Sequence, residues 1–137
     1  MTNVQVEEVS EVLPALWNLL GDYARAVDSR DTAAVARLFG GSGTLALPDR
    51  DIRGDDALAE FTAQAPGGVH VQGVPTVEHA PDGTLHVTSN FVFVNAQTYA
   101  ITSGEYRDVI RRGEDTLVFA RRAITIKVRT SDEPPSE

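Results

Sequence analysis

From Val9 to Val27 the apolar positions step by three and four: Val9, Val12, Leu13, Leu16, Leu19, Leu20, Tyr23 and Val27. That spacing lays one stripe along one face of a helix. Pro14 falls early in the run, so a regular helix is expected to begin or bend there. Asp31 to Phe39 predicts a second, short helix with Val35, Leu38 and Phe39 on its buried side, ended by Gly40, Gly41 and Gly43. A short strand is expected at Thr44–Leu47 and a turn at Pro48–Asp51. A third helix follows Gly54, with Asp55 as its N-cap and Leu58 and Phe61 facing inward, and residues 64–68 read as loop.

After residue 68 the period changes from 3.6 to 2. Val69–His79 is β-rich, and Ala80-Pro81-Asp82-Gly83 is a turn signal. In Thr84–Val94 the residues Leu85, Val87, Phe91 and Phe93 share one face. Asn95–Thr98 turns the chain, and two long strands, Tyr99–Arg112 and Thr116–Arg129, flank a turn at Gly113-Glu114-Asp115. Helices followed by long strands joined through short turns predict an α+β fold. Strands of this length must twist and curl, and a sheet curled around helices encloses a pocket, the usual setting for a small molecule. Residues 1–130 are expected to form one domain. The polar, proline-containing SDEPPSE at 131–137 is expected to be disordered.

Composition narrows the partners. The 137 residues carry 12 Lys+Arg against 20 Asp+Glu, a net charge of −8. Residues 1–100 hold 5 basic and 13 acidic side chains, and residues 101–137 hold 7 of each. An acidic chain is a poor phosphate binder, so nucleic acid is not an expected partner. The absence of cysteine excludes disulfides, thiolate metal sites and thiol nucleophiles. MTNVQVEEVSE at the start has neither the positive charge nor the apolar run of a leader, and no stretch has the length of a membrane span. The expected location is cytoplasmic, with no membrane partner.

Three stretches carry a family resemblance. LLGDYARAVDSRDTAAVARLF (19–39), IRGDDALAEF (52–61) and SGEYRDVIRRGEDTLVFARRAI (103–124), with VHV at 69–71, resemble in order and spacing a SnoaL-like member of the nuclear-transport-factor-2-like superfamily. The resemblance spans residues 9–129. It implies a cone-shaped α+β barrel in which three N-terminal helices pack on a strongly curved, mostly antiparallel sheet around a pocket. That superfamily includes scytalone-dehydratase-like and bile-acid dehydratases, a dehydrochlorinase, ketosteroid isomerases, polyketide cyclases and epoxide hydrolases, as well as domains without known chemistry. Fold alone therefore does not choose among them. Relatives commonly pair through the outer sheet face, which implies a homo-oligomer, a dimer before a trimer.

The resemblance matches Asp28 and His70 to the catalytic Asp and His of the dehydratase and dehydrochlorinase branch. A carboxylate on one imidazole nitrogen fixes the tautomer and raises the basicity of the other, which makes a general base. Such a base removes a proton next to a carbonyl or leaving group without cofactor or metal. Asp28 also has a plain structural reading, since Asp28 or Asp31 could cap the second helix; Asp31 reads as the cap. Tyr23, five residues before Asp28, and Tyr106 match tyrosines of the bile-acid dehydratase branch, where a phenol could polarise a substrate carbonyl. Either could instead be a core aromatic. One departure stands out: where scytalone-dehydratase-like enzymes carry a second histidine, this chain reads Ile101-Thr102-Ser103.

Other candidates are weaker. Asp108 only loosely matches the late-strand acids of isomerases and cyclases. His79 and His86 could face each other across a hairpin, where an exposed pair is the simpler reading than a metal site. Arg111, Arg112, Arg121 and Arg122 read as outer or rim positions, and Ser103 is the one serine the resemblance places near the pocket. Trp17, Leu20, Phe39, Phe61, Phe91 and Phe93 are available to line it, and strand register decides which of them do. The expected function is a cofactor-independent lyase or isomerase acting on an apolar small molecule, or else a non-catalytic binding or dimerising domain of the same fold.

Overall fold

A computed structural model describes residues 3–130, and side chains from residue 9 onward. The SDEPPSE tail expected to be disordered lies outside the described residues. The described residues form three helices, α1 (Asn3–Asp28), α2 (Thr32–Leu38) and α3 (Asp55–Ala63). Seven strands accompany them: β1 (Thr44–Ala46), β2 (Asp51–Arg53), β3 (Gly68–Gln72), β4 (Thr76–His79), β5 (Leu85–Asn95), β6 (Ile101–Arg112) and β7 (Leu117–Arg129). The architecture is α+β, with three helices packed on a mixed, mostly antiparallel curved sheet.

The predicted helical stripe is the buried one: Leu16, Leu19, Leu20, Tyr23 and Val27 are all nearly inaccessible. The helix does not begin at Pro14 but runs through it. Proline has no N–H to donate to the Ser10 carbonyl, so one backbone bond is lost and the helix continues around the gap. Asp31 is the N-cap of α2, its carboxylate accepting from the Ala34 N–H at 3.1 Å. The α3 cap differs from expectation. Gly54, not Asp55, occupies that position, with φ 92° and no side-chain cap bond. A backbone turned that way favours glycine.

The sheet runs β2-β1-β7-β6-β5-β3, with β4 also paired to β5. The β1–β7 pair is parallel and the others are antiparallel. The β-rich stretch after residue 68 resolves into two short strands along the same edge of β5, β3 against residues 91–95 and β4 against 85–88. Between them the Gly73 N–H still donates to the Asn90 carbonyl. Burial in β5 alternates strictly, with Leu85, Val87, Ser89, Phe91 and Phe93 inward.

Strand β7 does not alternate. Val109 pairs with Arg121 but Ile110 pairs with Phe119, so Ala120 is an extra residue. Ser103 pairs with Val128 and Gly104 with Ile126, so Lys127 is a second one. Each bulge reverses which parity faces the helices. Phe119 therefore faces inward, then Arg122, Ile124 and Ile126, then Arg129. The close approach at the second bulge requires Gly104, where a Cβ would lie 1.9 Å from the Thr125 carbonyl oxygen.

The predicted hairpin histidines part company. His86 is opposite Glu78 and His79 is opposite Leu85, and the burial alternation puts the two imidazoles on opposite faces of the sheet. Among the described residues, no three His, Asp or Glu side chains gather as metal ligands, and no helix is long and apolar enough to cross a membrane.

Candidate active site

Asp28 is the last residue of α1, and His70 sits on β3, the edge strand beside it. An edge strand leaves N–H groups without a sheet partner. Here the Asp28 carboxylate accepts that of His70, at 2.9 Å to Oδ2 and 3.2 Å to Oδ1. The same carboxylate meets the imidazole, Oδ1 lying 2.5 Å from Nδ1. Asp28 thus grips backbone and side chain of one residue and does not cap α2, a role Asp31 fills. In a neutral imidazole, a carboxylate on Nδ1 favours the tautomer with its proton there and leaves Nε2 a lone pair. The ring also leans on Phe93, centroids 4.5 Å apart.

His70 opens onto a cavity of about 510 Å³, a volume suited to a small-molecule ligand. Phe61, Phe91, Phe93, Val27, Ile124 and Ile126 give it apolar walls. Tyr23, Tyr106 and Thr102 add hydroxyls, and the loop at 47–50 together with Arg129 completes it. Three residues expected to line the pocket do not. Trp17 is 56% exposed, one position off the buried stripe of α1, and faces a shallow surface depression with Leu20 and the 72–75 segment. Leu20 is buried on that side of the helix, away from the cavity. Phe39 is fully buried behind it, its ring against Phe119 and edge-on to Tyr23. Ser103 shares the outer-face row of Val92 and Val128 instead of lining the cavity.

Tyr23 and Tyr106 meet edge to face, centroids 6.1 Å apart, and Phe91 stacks on Tyr106. Under them lies a residue expected at an outer or rim position. Arg122 has no exposed surface. Its guanidinium is 3.7 Å from the Tyr106 ring centroid, 4.4 Å from that of Tyr23 and 4.5 Å from that of Phe119. Asp108, its in-register partner on β6, binds it through two bonds, Nε–Oδ1 at 2.9 Å and Nη2–Oδ2 at 3.0 Å. Among the described residues Nη1 has no hydrogen-bond partner, and neither does the buried Ser89 hydroxyl. A buried ion pair of this kind needs such two-point geometry to offset desolvation.

The electrostatics follow from burial. Burial pushes the Asp108 carboxyl above the usual range, against the opposing pull of Arg122. Burial opposes the charge on Arg122, but Asp108 and the two tyrosines outweigh it and hold its pKa up. Burial likewise raises both phenols, with Arg122 pulling the other way. Both tyrosines are therefore protonated hydrogen-bond donors at neutral pH. Sequence reasoning missed Arg122 because the Ala120 bulge inverts the parity just before it, and it set Asp108 aside as only a loose match to late-strand acids. The opposite signs at facing positions were the available signal.

A family model described as a SnoaL-like domain matches residues 10–123. No curated protein matches the chain. Among solved structures, a protein provisionally described as a scytalone dehydratase, from Novosphingobium aromaticivorans, is 19% identical with TM-score 0.75, covering 99% of this chain and 94% of its own. An NTF2-like protein with a cystatin-like fold from the same organism is 19% identical with TM-score 0.74, covering 92% and 89%. A hexachlorocyclohexane dehydrochlorinase is 10% identical with TM-score 0.75, covering 94% and 92%. At these identities the likeness is one of fold.

Proposed function

We propose, since the chain belongs to the SnoaL-like family and carries an Asp–His pair on its cavity wall, that it is a cofactor-independent lyase or isomerase acting on an apolar small molecule. The observation that carries this is the 2.5 Å contact of Asp28 with His70 Nδ1, beside a cavity of ligand size. In this reading Nε2 of His70 removes a proton from a carbon next to a carbonyl or leaving group. The electron pair left behind forms a double bond, and either the leaving group departs or the proton returns at another carbon. Asp28 balances the imidazolium that forms.

Tyr23 and Tyr106 would donate to the oxygen on which negative charge grows. Arg122 would act through them as a positioning residue. Its positive charge beneath the phenol rings favours charge build-up at their hydroxyls, and its burial keeps water from screening that field.

The test is α-proton exchange of a bicyclic ketone such as 2-tetralone in deuterated water, followed by NMR. The wild-type chain should accelerate exchange, and His70→Ala should return it to background with the circular dichroism spectrum unchanged. Asp28→Asn should lose about 10²- to 10⁴-fold, the usual span for positioned acid–base groups. Full exchange by His70→Ala would end the base reading.

A second reading, a pocket domain that binds without reacting, is favoured by Thr102. It faces the cavity on the strand where the resemblance would put a second histidine. In that case Asp28→Asn and His70→Asn retain ligand affinity, and no exchange is seen with any variant.

A further inference from the structure

The cavity has a direction. Its inner face is crossed by one in-register row, His70 on β3 to Phe93 on β5, Phe93 to Thr102 on β6, and Thr102 to Arg129 on β7. All four residues line the cavity. Neighbouring strands lie about 4.8 Å apart, so the histidine and the arginine anchor the row about 14 Å from each other along the sheet. Arg50, from the loop between β1 and β2, also lines the cavity. Both arginines are exposed. Asp49 answers Arg50 at 3.3 Å. Arg129 has no ion-pair partner among the described residues.

A cavity with apolar walls, a histidine at one side and, at the other, an arginine without an ion-pair partner among the described residues selects a ligand with two ends. The geometry points to a substrate whose apolar, ring-containing body lies over Phe93 and whose anionic group, a carboxylate or other oxyanion, is held by Arg129. This rests on the reading of the cavity as a small-molecule site and gives its substrate class. The second bulge of β7 is what turns Arg129 inward beside Thr102, while Val128 faces out. A planar, forked guanidinium binds an oxyanion through two bonds. The overall charge of −8 does not oppose this. At physiological salt, charges beyond about 8 Å are screened, and the local arginines dominate.

Two fluorescent probes that differ by one sulfonate test the inference: 8-anilinonaphthalene-1-sulfonate and the uncharged N-phenyl-1-naphthylamine. The sulfonate probe should bind about 1.5- to fivefold more tightly at low salt, the range for one partly exposed charge pair. Added salt should narrow the difference. Arg129→Gln should weaken the sulfonate probe and leave the neutral one unchanged. Thr102→Phe, which fills the middle of the row, should weaken both and so place them in the cavity.

Equal affinity for the two probes, or an unchanged ratio in Arg129→Gln, overturns the inference. Probes indifferent to Thr102→Phe overturn it together with the cavity reading. The titration involves no turnover, so loss of ketone exchange with this preference intact would fail the base reading alone.

Discussion

Arg122 holds a full positive charge out of contact with solvent, against three aromatic rings, and Asp108 is the group that makes this tolerable. Removing one partner strands the other, which costs about 3–5 kcal/mol for buried pairs. Asp108→Leu should therefore lose that much stability in urea denaturation. The double variant Asp108→Leu/Arg122→Met should recover most of it, because no unpaired charge is left behind. In ketone exchange the double variant should still fall below wild type, since the phenols lose the cation beneath them. An unimpaired double variant would make Arg122 purely structural. Asp28 and His70, by contrast, were identifiable from the chain through their place in a family-like order of elements. Arg122 was not, because its neighbourhood spells Arg-Arg and only one of the two turns inward.

At the scale of an element, β7 is where alternation fails. A straight strand continuing from Phe119 would bury Arg121 and expose Arg122; the extra residue Ala120 exchanges them. The second bulge depends on Gly104, whose missing Cβ lets the Thr125 carbonyl approach. Gly104→Ala must push the strands apart, and overpacking of this kind costs about 1–3 kcal/mol. The expected result is a lower melting temperature and a weakened grip of the cavity on the sulfonate probe, because Arg129 follows that bulge. If Gly104→Ala melts at the wild-type temperature, the bulge relaxes freely and the prediction fails. The α2 cap gives a milder check: Asp31→Ala should cost about 1 kcal/mol, the typical worth of an N-cap. Strict alternation in β5 and the stripe of α1 were legible because neither element carries an insertion that changes its period.

At the scale of the molecule, the sheet's outer face carries an apolar patch. Val71, Val92, Ser103 and Val128 form one row across four strands, and Val69, Val94 and Ile101 form the next. Val69, Val71, Val92, Ile101 and Val128 are exposed. Glu105 next to the patch is paired with both Arg107 and Lys127, so its charge is answered locally. A chain with net charge −8 repels its own copies through most of its surface, and this face can meet a second copy without that penalty. Sedimentation should give a dimer, and Val92→Lys, at the centre of the patch, should give a monomer. A wild-type monomer would overturn the expectation.

Period and punctuation along the chain determined the α+β class, the three helices, the long strands, the Asp31 cap and the inward face of β5. These depend on residues near one another in sequence, where side-chain direction follows from helix or strand geometry alone. Only the tertiary structure decided which arginine is buried, that Asp28 grips both the backbone N–H and the imidazole of His70, and that Arg129 shares a row with that histidine. The reason is physical. Each of these depends on how separate elements meet and register, and one inserted residue in one strand reverses every orientation beyond it.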